Sequence, residues 1–296
     1  MEITILDGGM GRELQRAGAP FRQPEWSALA LIEAPGQVGD VHERFAEAGA
    51  QILTTNSYAL VPFHIGEARF AESGRQLADR AGRVARAIAD RHGIKVAGSL
   101  PPSMGSYQPD LFDASAARAV WEKLIAGLSP HVDLWLAETL SLTAEAQLAA
   151  EMLAEDHRPL WLSFTLDDAL DASGHARLRS GETVEGATRL AQSVGANGLL
   201  FNCSYPEVME AAVAEAALTL GSSKICIGAY ANGFGPPPEG YSANQTLRDI
   251  RADLDPDRYL LWAGKWVSAG ATVIGGCCGT GPEHIAVLAR ELNRGR

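Results

Sequence analysis

GLLFNC at residues 198–203 and ATVIGGCC at residues 271–278 are two short apolar runs that each close on thiols. Both have the length and composition of buried strands, and in both the reactive side chains come only as the run ends. Neighbouring side chains in a strand point to opposite faces. Cys277 and Cys278 can therefore face one point only if the strand has already finished, and Gly275, Gly276 and Gly279 permit that turn. Cys203, Cys277 and Cys278, drawn from two distant strand ends, make an incomplete tetrahedral set for a soft metal, with zinc the expected ion. The open position of such a set is where a substrate binds. Packing alone accounts for a single buried cysteine, but not for the doubling or for the four glycines, Gly281 included, around it.

Working outward, eight runs of this kind occur, at 3–7, 51–56, 95–99, 133–138, 160–165, 198–202, 224–230 and 271–275. Segments with helical spacing separate them, at 37–48, 67–92, 114–128, 143–155, 183–194, 207–220 and 256–269, and a last one at 282–293 closes the chain. Asp113 stands where an N-cap is needed, Pro282 where a first helical turn tolerates it, and Gly93 just past a helix end. Strand-then-helix, eight times over, is the pattern of an α/β (β/α)8 TIM barrel, here expected as one domain over 1–296. A doubly wound sheet would carry a phosphate-binding glycine loop after its first strand. DGGMGRELQ at 7–15 has the glycines, but Asp7 leads them and would repel a phosphate.

Composition narrows the setting. The chain has 296 residues, 46% of them hydrophobic, which is ample for one large core. A formal net charge of −11 disfavours nucleic acid and anionic membrane surfaces as partners. Four cysteines argue against a disulfide scaffold, and the opening MEITILDGG lacks a secretory pattern, so the expected compartment is the cytoplasm. No apolar run reaches the length of a membrane span. Oligomeric state stays open.

Polar residues gather where the strands end: Asp7, Thr54 to Asn56, Ser99, Glu138 with Thr139, Asn202 with Cys203, Tyr230 with Asn232, and the cysteine pair. In a barrel these ends share one mouth, and the loops after them build the active site. Two such loops are long, 100–112 and 231–241, both punctuated by proline and glycine. Three thiolates leave zinc with net negative charge, a poor acid toward water but a good partner for a substrate thiol. The histidines at 42, 64, 92, 131, 157 and 175 read as surface residues, and His284 as a structural hydrogen-bonding group at a helix start. Cys226 reads as core.

At this point the chain resembles the zinc-dependent homocysteine S-methyltransferases, the group that includes betaine–homocysteine methyltransferases and the homocysteine module of methionine synthase. The resemblance spans nearly the whole sequence. It is carried by LDGGMGRELQRAG at 6–18, the stretch from Pro24 to Tyr58, AET at 137–139, NC at 202–203, YANG at 230–233 and GGCCGTGPEHI at 275–285. It implies that Cys203, Cys277 and Cys278 bind zinc and that homocysteine sulfur is the fourth ligand. Asp7 and Glu138 would hold the amino-acid end, with N–H groups of Gly8 and Gly9 for its carboxylate and Asn202 also in contact. Trp26 and Tyr58 would line the donor side, where Tyr107 and Phe112 could join them, since a cationic methyl donor favours aromatic faces.

The expected reaction is methyl transfer from a small onium donor to homocysteine, giving methionine, with S-methylmethionine or S-adenosylmethionine as donor. The chain departs from S-methylmethionine users in reading LPPSMGSYQPDLF at 100–112 instead of a GPYGA-like segment. It departs from betaine users in placing Thr139, not an aromatic residue, after the strand-four glutamate. Alternatives are a betaine or dimethylsulfoniopropionate donor, another acceptor such as selenocysteine, and, from other classes, a structural zinc or a zinc hydrolase. A closed structural site would need Cys226 as fourth ligand, and a hydrolase would need Glu138 as base.

Overall fold

The computed structural model describes residues 2–235 and 249–294. Of the loop expected at 231–241, the part from 236 onward lies outside the described residues. In chain order the elements are β1 (Thr4–Ile5), α1 (Met10–Arg16), α2 (Ser27–Glu33), α3 (Pro35–Glu47), β2 (Ile52–Thr54), α4 (Pro62–Ile65) and α5 (Glu67–His92). There follow β3 (Lys95–Leu100), α6 (Ala114–Leu128), β4 (Leu134–Leu140), α7 (Thr143–Met152), β5 (Leu160–Phe164), α8 (Val184–Ser193) and β6 (Gly198–Asn202). The chain ends with α9 (Pro206–Leu220), β7 (Cys226–Tyr230), α10 (Pro256–Ala269), β8 (Val273–Ile274) and α11 (Pro282–Leu292).

The strands form one parallel sheet in the order β1-β8-β7-β6-β5-β4-β3-β2. A parallel bridge between Leu6 and Ile52 joins its two edges, and Gln51 N donates to Ile5 O at 2.8 Å. This is the expected (β/α)8 barrel. Alternate strand residues, among them Leu6, Ile52, Ala97, Leu134, Leu136, Leu200 and Val273, pack together inside it. The residues between them, such as Trp135 and Ala137, join the larger core shared with the helices. Cys226 packs against the inner cluster at the start of β7, the core position expected of it.

The local signals act as read. The Asp113 carboxylate accepts from Ala116 N at 2.7 Å at the head of α6, and Gly93 ends α5 in the left-handed region at φ 66°. Three short helices, α1, α2 and α4, were not foreseen. In α2 every residue from Ser27 to Leu31 is buried, so it has no polar face and no helical period to read. Among the described residues no helix is long and apolar enough to cross a membrane.

Candidate active site

One cavity opens at the carboxyl ends of the strands, and it brings together residues at or after the ends of β1, β2, β3, β4, β6, β7 and β8. Asp7, Gly8, Gly9, Trp26, Tyr58, Glu138, Cys203, Cys277 and Cys278 all line it. Asn202 does not. It is fully buried behind the wall, and its amide is used on Thr139 and Ser163. Phe112 also stays out, packed against the helix–sheet core.

The three thiols meet as expected, their sulfurs all within 4.8 Å of one another. Backbone hydrogen bonds hold them there: Cys203 N donates to Tyr230 O at 3.2 Å, Cys277 N to Ala231 O at 3.0 Å, and Gly233 N to Cys278 O at 2.7 Å. Tyr107, from the loop after β3, donates its hydroxyl to Cys203 Sγ at 2.8 Å. With Cys277, Cys278 and Tyr107 all bonded to it, the Cys203 thiol is held well below the ordinary range, while Cys277 and Cys278 are pushed up. Three thiols in so small a volume ionise together only around a cation. Tetrahedral zinc with sulfur ligands at about 2.3 Å sets sulfurs roughly 3.8 Å apart, so the trio fits such an ion. Cys226 is no fourth ligand, because it lies four residues below Tyr230 on β7, about 13 Å down the strand.

The first loop packs directly on the thiol loop. A Cβ on Gly9 would lie 2.5 Å from Cys277 O and 3.0 Å from Cys278 Cα, and one on Gly8 would lie 2.4 Å from Thr280 O. Backbone cannot yield as a side chain tip does. Gly9→Ala is therefore expected to displace Cys277 and Cys278, destabilise the protein by about 1–3 kcal/mol and speed metal loss to a chelator. Wild-type melting and chelation rates in that variant would count against this packing. The Gly9 N–H donates to Thr280 O at 2.9 Å, so its role is close approach and not the carboxylate contact expected of it.

Asp7 and Glu138 face the same cavity. Asp7 accepts from Thr54 N at 2.7 Å and Thr54 Oγ1 at 2.9 Å, and Glu138 accepts from Ser99 Oγ at 2.5 Å and Tyr230 OH at 3.2 Å. These partners leave lone pairs on both carboxylates for a ligand cation. Burial raises each pKa to about 7, although its hydrogen bonds pull the other way. Among the described residues neither has a basic side chain as hydrogen-bond partner, so each is a buried acid that favours its neutral form until a cation pairs with it.

Aromatic side chains form much of the remaining wall. Tyr58 shares a hydrogen bond with Ser106 at 2.6 Å, and Trp26 meets Phe21 edge-on at 5.8 Å. Phe63, His64 and Phe234 also line the cavity and were missed, since nothing in the sequence marks VPFH at 61–64 as part of a site. His64, read as a surface residue, is buried. Its Nδ1 bonds Pro24 O at 2.9 Å, and burial lowers its pKa to about 4. His42 is buried as well. His284 does what was expected, accepting from Gly281 N at 3.2 Å and bonding Leu254 O at 3.0 Å. Among the described residues the non-glycine positions with positive φ are Trp26, Tyr107, Thr139 and Cys203, and all four line this cavity. Strain of about 1–3 kcal/mol each is concentrated where chemistry would use it.

Fold and site together define a barrel enzyme whose centre is a thiol cluster beside two buried carboxylates. The sequence profile of the homocysteine S-methyltransferases matches residues 4–292. Homocysteine S-methyltransferase 1 of Arabidopsis thaliana is 29% identical, over 98% of this chain and 94% of its own length. The selenocysteine methyltransferase of Astragalus bisulcatus is 27% identical, over 99% and 93%. The metallated form of the homocysteine methyltransferase MmuM from Escherichia coli superposes with a TM-score of 0.77 at 27% identity, over 98% of this chain and 96% of that one. The chain belongs to the homocysteine S-methyltransferase family and is a methyltransferase, and its trio of thiols suits a metal.

Proposed function

We propose that the chain binds zinc through Cys203, Cys277 and Cys278 and methylates homocysteine from a small onium donor, S-methylmethionine or S-adenosylmethionine. One observation carries this reading: three thiols and two buried carboxylates share a single aromatic-walled cavity. Zinc held there would supply the positive charge that keeps the acceptor sulfur, ordinarily a thiol of pKa about 8.5, ionised at neutral pH. Asp7 and Glu138 pair with the acceptor's ammonium group and fix its orientation. Trp26, Tyr58, Phe63 and Phe234 offer π faces to the cationic donor and keep water from the transfer. Methyl transfer from an onium centre is an in-line displacement, so alignment matters more than proton transfer. No histidine belongs to the thiol cluster among the described residues, in keeping with chemistry that needs no separate base. The barrel acts as one homocysteine-binding domain in the cytoplasm.

A panel of onium donors, each supplied singly with homocysteine to the zinc-loaded enzyme, tests the reading. Methionine should form with S-methylmethionine or S-adenosylmethionine and poorly with betaine or dimethylsulfoniopropionate. Selenocysteine offered in place of homocysteine checks the acceptor. Turnover with selenocysteine and none with homocysteine would overturn the assignment.

A further inference from the structure

Strand β4 carries an irregularity where the site needs it. Its register against β5 advances from Ala137 opposite Leu162 to Leu140 opposite Phe164, three residues against two, which leaves a bulge at Glu138–Thr139. The bulge resets the alternation of faces. Leu134 and Leu136 point into the barrel, whereas Leu140 joins the outer core with Trp135 and Ala137. Glu138 continues the inward alternation of Leu134 and Leu136 to the mouth, where Thr139 beside it also lines the cavity instead of turning to the outer face. Thr139 holds the bulge at φ 60°, a region that β-branched residues avoid.

What compensates that strain comes from β6. Asn202 Oδ1 accepts from Thr139 N at 2.9 Å, the backbone group that the bulge takes out of the ladder, and from Ser163 Oγ of β5 at 2.8 Å. Asn202 Nδ2 donates to Thr139 Oγ1 at 2.8 Å. The whole side chain is buried and all its bonds go to the two strands flanking the bulge. We propose that Asn202 is a positioning residue that clamps the β4 bulge and so aims the Glu138 carboxylate at the acceptor's ammonium group. The inference rests on the reading of Glu138 as the ammonium partner. Asn202 thus acts through Glu138 without touching substrate, and it does not hold the thiol trio, whose Cys203 is fixed by its own backbone bond to Tyr230.

The test compares Asn202→Ala, Asn202→Ala with Thr139→Gly, Ser163→Ala and Glu138→Gln, each zinc-loaded, by metal content and by KM and kcat for homocysteine. Asn202→Ala should raise the homocysteine KM roughly ten-fold, the cost of misplacing one charged hydrogen bond, while metal content stays at the wild-type level. Thr139→Gly in that background should recover part of the loss, because glycine adopts positive φ without a clamp. Ser163→Ala, which leaves both Thr139 bonds in place, should shift KM in the same direction by less, and it serves if Asn202→Ala does not fold. The inference is overturned if Glu138→Gln raises KM and neither Asn202→Ala nor Ser163→Ala does, or if Thr139→Gly restores nothing. An unchanged KM in Glu138→Gln would instead refute the role given to Glu138 itself.

Discussion

Cys277→Ala is expected to fold, to lose its metal and to lose methyl transfer with it. Cys203→Ala and Cys278→Ala should behave alike, because the three sulfurs converge within 4.8 Å and no fourth thiol is at hand to replace one. Structural zinc sites hold their ion with roughly 10–16 kcal/mol, so removing one of three ligands should cost orders of magnitude in affinity. The fold should survive, since none of the three cysteines belongs to the large core between helices and sheet. Cys226→Ala is the control and should keep both metal and activity. Elemental analysis of the four purified variants decides this. Full metal retention in any of the first three would remove the trio as the metal site.

Glu138→Ala and Asp7→Ala are expected to keep metal and fold but to bind homocysteine about 10- to 150-fold more weakly, the loss of a charged hydrogen bond worth about 1.5–3 kcal/mol. A pH dependence accompanies this. Both carboxyl groups titrate near 7 in the folded protein, up from 4.5 for Glu138 and 3.8 for Asp7. A raised carboxyl pKa means that the folded chain binds more protons than the unfolded one between about pH 4 and pH 7. Their contribution to stability is therefore full below pH 4 and is lost as pH rises through 7. Ligand binding runs the opposite way, because an ammonium group pairs only with the ionised form. Affinity for methionine, which has the ammonium and no ionisable sulfur, should rise from pH 5.5 to 8 and then level. A flat profile in the wild type, or unchanged homocysteine affinity in both variants, would refute the ammonium role.

The barrel was legible because each strand is a short apolar run that ends in polar residues, and that pattern survives in a single sequence. The thiol centre was legible for the same reason: an adjacent cysteine pair amid glycines has few structural uses. What escaped depends on contacts between distant segments. Asn202 reads as one more polar strand end, and only the register of β4 on β5 shows it bonded to a bulge 63 residues earlier in the chain. Gly9 reads as a donor of N–H groups, yet the approach of Cys277 O to its α-carbon gives it a steric role. His64, Phe63 and Phe234 reach the cavity from a four-residue helix and a loop, elements too short to carry a periodic signal. Helix α2, buried along most of its length, has no amphipathic stripe to announce it.

Proton release on acceptor binding tests the central claim most directly, that homocysteine enters this site as a thiolate. Calorimetry of the zinc-loaded enzyme near pH 7, in two buffers of different ionisation enthalpy, counts the protons released by homocysteine and, separately, by methionine. With Asp7 and Glu138 as the proposed ammonium partners, both ligands should displace the same protons from those carboxyl groups. Only homocysteine has a thiol to ionise, and that thiol is mostly protonated at pH 7 when free. The expected result is about one more proton per site for homocysteine than for methionine. Equal release from the two ligands would contradict thiolate binding and direct coordination of homocysteine to the metal.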